Sequence, residues 1–250
     1  MRSMTTCFLT LALLAPVSCA WAAFSSQDRQ QLHSQANLLA IDALTYFDTD
    51  PRAATLPDSS LLEALSEARR KLKAVAAKPS LPASLAAPLV SMNASLEQLL
   101  GLSREQASGY APLLISLLDH RAQLAWQMDI AYTEQPVSQV AGALNRQSRR
   151  ISEILLQALA RNALVLREHS MAYNESGLGP QDQAIEQGFD ELKALLPASA
   201  AEQLQRQHLA YRFVRPKLLQ HDALQKAAAA RRYIAGIVTW LDRQAMQVEH

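Results

Sequence analysis

The sequence predicts an all-α fold, and three observations lead to this prediction. Only 7 glycines occur in 250 residues, whereas the helix-favouring residues Ala, Leu, Gln, Glu and Arg are abundant. Apolar residues recur at spacings of three and four in every long segment, and no segment alternates at period two for long enough to form a strand. Prolines and short polar turns separate these segments. We therefore expect an elongated antiparallel helical bundle.

The first helices follow an N-terminal targeting segment. Residues 1–23 hold one charge, a short apolar run and small residues at their end, which is typical of a cleaved secretory signal peptide. Helices are then expected over about residues 26–47, 60–77, 84–100 and 103–133, each preceded by a polar or proline-containing loop. Pro112 either kinks the fourth helix or lies in its first turn.

The longest uninterrupted stretch covers residues 136–174, which contain no proline after the first position and a single glycine. This stretch predicts one long helix. Its apolar stripe is formed by Val140, Leu144, Ile151, Leu155, Leu159 and Leu166, with Ser148 interrupting it. Further helices are expected over about residues 181–196, 199–219 and 222–248, separated by prolines and polar turns.

The order of helix lengths repeats, which predicts two related halves at residues 24–134 and 135–250. Residues 65–72 resemble residues 189–195, and residues 110–114 resemble residues 213–219. Coincidence in a chain rich in Ala and Leu is the alternative explanation.

Cysteine usage and charge limit the compartment and the partners. Cys7 and Cys19 both fall within residues 1–23, so the mature chain has neither a disulfide nor a catalytic thiol. Cys19 as a lipid attachment site is the alternative, although the leucine usual in bacterial lipoprotein signals is missing before it. Loss of Arg2 leaves 23 of the 24 basic residues against 23 acidic ones, and no later stretch reaches eighteen apolar residues. We expect a periplasmic or secreted protein with no membrane span and no nucleic-acid partner.

The motifs that catalysis or metal binding would require are missing from the sequence. It has no nucleophile elbow and no phosphate-binding glycine loop. No histidine stands three or four residues from another, and the adjacent Asp-His pairs point to different sides of a helix. We therefore expect neither an enzyme nor a bound metal or cofactor. An enzyme whose catalytic residues converge only in the fold is the least favoured alternative.

Polar residues gather at two places in the predicted helices. Arg146, Arg149 and Arg150 share one face of the long helix, with Glu153 placed to pair with them. These arginines either bind a small anion or form a solvated face neutralised by nearby acids. The pairs Gln147 with Ser148 and Ser34 with Gln35 are either ligand contacts or buried hydrogen-bonding groups that fix helix register.

Two short boxes resemble those of a family of sensing domains. Residues 29–35, Arg-Gln-Gln-Leu-His-Ser-Gln, resemble the Arg-Gln-Arg-Met-Leu-Ser-Gln-Arg box of PilJ-type domains, the N-terminal sensing modules of type IV pilus chemotaxis transducers. Residues 141–150, Ala-Gly-Ala-Leu-Asn-Arg-Gln-Ser-Arg-Arg, are similar to the Ala-Gly-Ser-Leu-Arg-Met-Gln-Ser-Tyr-Arg box of nitrate/nitrite sensor kinases, whose sensing domains are of the same type. We call these segments box one and box two.

The resemblance implies a periplasmic, all-helical, usually dimeric bundle that senses a small ligand without catalysis. The arginine that binds the anion in nitrate sensors matches Gln31 in box one and Asn145 in box two, and a neutral amide lacks the charge-assisted contact of a guanidinium. The expected partners are a small anion or organic ligand, an envelope or receptor protein, or a second copy. An envelope scaffold without a small ligand is the alternative. The candidate ligand contacts are Arg29, Gln30, Ser34, Gln35, Arg146, Gln147, Ser148, Arg149 and Arg150.

Overall fold

The computed structural model describes residues 24–47, 59–132, 138–163, 166, 177–220 and 224–249. Every regular element in these ranges is helical, which confirms the predicted all-α fold. The helices are α1 Ser26–Phe47, α2 Ser59–Ala76, α3 Ala83–Gly101, α4 Tyr110–Tyr132, α5 Gln139–Asn162, α6 Gly179–Leu195, α7 Ala198–Leu219 and α8 Leu224–Glu249. None of these helices has the length and apolar character needed to cross a bilayer. The predicted signal peptide and the boundary between residues 134 and 135 lie outside the described residues.

Local capping explains where several helices begin. Ser25 Oγ accepts a hydrogen bond from the Asp28 N–H at 3.0 Å, and Asp28 Oδ2 accepts one from the Ser25 N–H at 3.1 Å, the reciprocal pattern of a capping box. Ser138 Oγ caps α5 by accepting from the Ala141 N–H at 3.2 Å. α4 begins at Tyr110 after a 3-10 segment, so Pro112 lies in its first turn, where a missing N–H breaks no helical hydrogen bond.

The long helix ends earlier than the sequence predicts. α5 stops at Asn162, where Ala163 adopts extended backbone angles, so the prediction of one unbroken helix to residue 174 is wrong. Arg161 is buried, and its Nη2 donates to the carbonyl oxygens of Leu218 and Gln220 at 3.1 and 3.2 Å. The end of α5 is thus held by a contact with the distant end of α7. No proline or glycine lies near residue 162, so the sequence gives no local signal for this helix end.

The helices pair in the same order in both halves. α1 packs against α2 and α4, and α3 packs against α4; α5 packs against α6 and α8, and α7 packs against α8. The halves meet where α1 contacts α5 and α8, and apolar side chains from both halves form one core. Of the two local sequence matches, one joins α2 with α6, which hold equivalent places in this order. The other joins α4 with α7, which do not. The antiparallel arrangement and the relatedness of the halves remain predictions.

A buried polar layer links α1 to α4 and α5. Asn37 on α1 is 1% exposed; its Nδ2 donates to Ser152 Oγ at 2.8 Å and its Oδ1 accepts from Arg121 Nε at 2.6 Å. Arg121 also forms an ion pair with Glu153. His33 lies one turn before Asn37, with its Nδ1 3.4 Å from the Asn37 amide nitrogen. These contacts fix the register of α1 against the other two helices, because a shift would leave buried polar groups without partners.

Burial controls the charge of His33. Removal from water lowers the pKa of the imidazole well below its ordinary value, and the positive charges of Arg121 and Arg149 lower it further. His33 is therefore neutral in the folded protein at neutral pH.

We predict that His33 makes the protein less stable in mild acid. The unfolded chain takes up a proton near the ordinary histidine pKa of about 6.5, whereas the folded protein resists it, so stability present above that pH is lost as the pH falls below it. Between pH 7 and pH 5, the free energy of unfolding should fall more steeply for the wild type than for His33→Gln, by up to ~1.4 kcal/mol per pH unit. Urea denaturation at a series of pH values measures both slopes. Equal slopes would contradict a neutral, buried His33.

The contact between α5 and α6 depends on a glycine. A Cβ on Gly188 would lie 2.0 Å from Gln147 Oε1 and 2.8 Å from its Cδ. Gln147 is buried, and its Nε2 donates to the Ile185 carbonyl oxygen at 2.9 Å. A side chain at position 188 would therefore displace Gln147 from this hydrogen bond.

We predict that the effect of Gly188→Ala depends on Gln147. Alanine in a helix is favoured over glycine by about 1 kcal/mol, but in the wild type this gain is offset by the displaced amide. Gly188→Ala should therefore raise the free energy of unfolding less in the wild type than in a Gln147→Ala background. The two changes in free energy should differ by ~1 kcal/mol or more. Chemical denaturation of the wild type, the two single variants and the double variant gives this coupling energy. Gly236→Ala, where nothing lies within 4 Å of the added Cβ, is the control and should show no coupling.

Candidate functional site

The two boxes face each other in the structure and converge on one carboxylate. Box one lies on α1 and box two on α5, and these helices are in contact. Ser148 Oγ donates to Asp242 Oδ1 at 2.7 Å, and Gln30 Nε2 donates to the same oxygen at 2.9 Å. Gln30 Nε2 also lies 3.2 Å from Ser34 Oγ. Asp242 of α8 thus joins polar residues of both boxes.

The environment of Asp242 disfavours its charged form. Removal from water raises the pKa of the carboxyl above its ordinary value, although hydrogen bonds from Ser148, Ser34 and Gln30 oppose this rise. Within the described ranges, no Lys, Arg or His forms an ion pair with Asp242. The carboxylate is therefore stabilised by neutral donors alone.

A cavity of about 230 Å³ lies beside Asp242, and we call it the inter-box cavity. Gln31 and Asn145, the two positions that match the arginine of the nitrate sensors, both line it. Five of its side chains are amides, which offer donors and acceptors together. The lining residues are Gln27, Gln30, Gln31, Gln35, Lys71, Asn145, Thr239, Asp242, Arg243, Ala245 and Met246.

Two lining groups of this cavity lack protein partners. Asn145 is 3% exposed, and its buried Oδ1 has no hydrogen-bond partner among the residues that the structure describes. Arg243 is exposed, and its side chain forms no ion pair or hydrogen bond with that part of the chain. The wall of the cavity thus contains a buried acceptor for which the described residues supply no donor, and an exposed cation for which they supply no counter-ion.

The arginines of box two line a different surface. Arg146, Arg149 and Arg150, together with Arg121, border an open groove of about 760 Å³, which we call the arginine groove. Trp126, 61% exposed, is also part of it. The acidic residues in the lining are Asp129 and Glu153, so positive charge exceeds negative charge in the groove.

Each groove arginine already has a protein acceptor. The contacts are Arg146 Nη2 with Glu191 Oε1 at 2.7 Å, Arg149 Nη1 with Asp129 Oδ1 at 2.9 Å, Arg150 Nη1 with the Ala184 carbonyl oxygen at 3.2 Å, and Arg121 with Glu153. An anion in the groove would share guanidinium groups with these acceptors. The predicted pairing of Glu153 with the box-two arginines is therefore wrong: Glu153 pairs with Arg121, which α4 brings beside it, while the box-two arginines find acceptors on other helices. They also border a groove that an anion could enter.

The structure thus separates the nine predicted contacts into four groups. Gln30 and Gln35 line the inter-box cavity, whereas Ser34 and Ser148 hydrogen-bond to Asp242, another lining residue. Arg146, Arg149 and Arg150 border the arginine groove. Arg29 and Gln147 are buried and line neither surface.

Sequence reasoning missed the residues that complete both surfaces: Lys71, Arg121, Asp242 and Arg243. Asp242 gives a signal, because it lies four residues after the buried Val238 and beside the buried Leu241. A carboxylate at the edge of an apolar stripe indicates a partly buried polar contact. The other three residues, Lys71, Arg121 and Arg243, give no such sequence signal, since a charged residue on a helix is usually solvated.

Comparison with known proteins assigns no ligand or reaction to this site. No three His, Cys, Asp or Glu side chains within the described ranges are grouped so that they could hold a metal ion. The chain matches no protein-family model, no curated protein and no solved structure.

Proposed function

We propose that this protein is an exported, non-catalytic, sensor-like helical bundle that binds a small ligand in the inter-box cavity. The observation that carries the proposal is the convergence of Gln31 from box one and Asn145 from box two on one cavity beside Asp242. Small-molecule sites are concave and contain a few convergent polar groups, and this cavity has both properties.

The position of the cavity suits a sensor. It is lined by α1 and α2 of the first predicted half and by α5 and α8 of the second. A ligand that contacts helices of both halves binds best to one arrangement of them, and it therefore shifts the population toward that arrangement. Both boxes belong to one chain, so a ligand can span them without a second copy.

The PilJ-type resemblance belongs to the same proposal. The likeness of the two boxes and the signal-peptide pattern support a periplasmic sensing domain. The equal pairing order of the helices supports two related halves. An expected receptor or envelope protein would then receive the signal.

We predict that blocking the cavity abolishes ligand binding. Nitrate, acetate, glycine and ethylamine represent an inorganic anion, a carboxylate, a zwitterion and a cation. At about 100 times its Kd, a ligand adds ~2.7 kcal/mol to the free energy of unfolding, which raises the melting temperature measurably. At least one probe should stabilise the wild type, and Gln31→Trp should remove the effect. Gln98→Trp on the exposed face of α3, outside the cavity, is the matched control and should respond like the wild type.

Two results would contradict this function. One is stabilisation by a probe that Gln31→Trp leaves unchanged, which would place the ligand elsewhere. The other is the absence of stabilisation together with a stoichiometric protein partner captured from envelope extract, which would favour the scaffold function.

The arginine groove supports a second candidate function, the binding of an anion with an aromatic part. The observation in its favour is the excess of guanidinium groups next to the exposed indole of Trp126. Guanidinium groups bind carboxylates through paired hydrogen bonds, and an aromatic ring can stack on the indole.

We predict that benzoate changes the fluorescence of Trp126 if the groove binds anions. The combined change Arg146→Ala and Arg149→Ala should weaken this response at least about tenfold, because two charge-assisted contacts are lost. Trp126→Phe should remove the signal, which separates it from the other tryptophans. Arg70→Ala, which removes an exposed ion-paired arginine of α2, is the control. A response unchanged by the double substitution would exclude these arginines from the site.

A further inference from the structure

We propose that the ligand of the inter-box cavity is a zwitterion with a carboxylate and a protonated amine close together, the chemistry of a free α-amino acid. This inference rests on the proposed function and names its ligand class. It is carried by cationic and anionic side chains that line one small cavity and form no ion pair with each other among the described residues.

The cavity offers a place for the carboxylate. Arg243 lines it and has no acidic partner within the described part of the chain. Lys71 lines it too, and its Nζ is 3.6 Å from the exposed Glu67. A guanidinium presents parallel N–H donors that match a carboxylate, and a nearby ammonium adds to the attraction.

The cavity also offers a place for the amine. Asn145 lines the cavity, and its buried Oδ1 has no hydrogen-bond partner among the described residues, which costs free energy. Rotation of the amide about its Cβ–Cγ bond would bring Oδ1 to a donor of the ligand, which would recover this free energy. Asp242 supplies a carboxylate that forms no ion pair with a cation in the described part of the chain, and Ser148 hydrogen-bonds it to α5 one turn after Asn145. An ammonium group has three donors, so it can satisfy both acceptors at once.

Simpler ligands leave part of the cavity unsatisfied. An inorganic anion would meet Arg243 and Lys71 but would place negative charge near Asp242 and leave Asn145 Oδ1 without a donor. A simple amine would meet Asp242 and Asn145 but leave Arg243 without a counter-ion. Only a ligand with both charges satisfies the two sets of groups together, and a volume of about 230 Å³ restricts it to a small molecule.

Calorimetric titration of the purified protein with each of the twenty common L-amino acids tests this inference. For the amino acid that binds most tightly, the N-acetyl derivative lacks the positive charge and the methyl ester lacks the negative charge. We expect each derivative to bind at least about tenfold more weakly, since each loses a charge-assisted contact.

Two substitutions should test the carboxylate contact and the amine contact of the ligand separately. In Arg243→Gln, the amino acid should bind at least about tenfold more weakly and no better than its ester. Asn145→Leu keeps the side-chain shape and removes a buried acceptor that has no partner among the described residues, so the fold should stay intact. In this variant, the preference for the amino acid over its N-acetyl derivative should shrink. Arg232→Gln, an exposed arginine of the same helix outside the cavity, should bind like the wild type.

The outcomes distinguish the ligand class from the function. Equal binding of the amino acid and either derivative by the wild type would overturn the zwitterion. Binding of nitrate, acetate or ethylamine that Gln31→Trp abolishes, with no amino acid bound, would overturn the zwitterion but retain the cavity as a ligand site. No cavity-dependent binding of any of these compounds would overturn both.

Discussion

The contact between α1 and α5 is the constraint on which the rest of the structure depends. It joins the two predicted halves, and its polar groups are satisfied only in one register: Asn37 with Ser152 at one level, and Gln30 with Ser148 through Asp242 at another. Because leaving such groups buried without partners costs free energy, sliding α1 against α5 would break both levels together. The cavity and the arginine groove lie on either side of this fixed pair of helices.

Two carboxylates that folding removes from water lie at the junction of α1 and α8. Asp42 is buried, and removal from water raises its pKa even though it pairs with Arg231 of α8. Asp242 lies on the same helix, and burial raises its pKa as well. Desolvating a charge costs more than a pair usually returns, so apolar residues would hold α1 and α8 together at least as well. What the carboxylates add is a unique alignment of α8 with α1, and Asp242 adds a polar wall to the cavity.

The sequence was sufficient for most of the fold, because helix formation and capping are local. The caps at Ser25 and Ser138 and the place of Pro112 follow from residues within one turn. The end of α5 did not follow, because Arg161 bonds to the carbonyl of Leu218 on another helix. The same limit applies to the site. Periodicity placed Gln30 and Gln35 on α1, but only tertiary packing brings Arg243 beside them.

The two box positions that match the nitrate-sensor arginine hold unlike residues, and this asymmetry bears on the proposed ligand. Ser34 and Ser148 stand three residues after Gln31 and Asn145, respectively, and both serines bond to the single carboxylate of Asp242. Gln31 and Asn145 both line the cavity, but Gln31 is exposed, whereas Asn145 is buried and its Oδ1 has no partner among the described residues. A symmetric pair of boxes would offer the same group from both sides and suit a symmetric ion. Two unlike positions beside one carboxylate, with Arg243 on a third helix, suit a ligand whose two ends differ in charge.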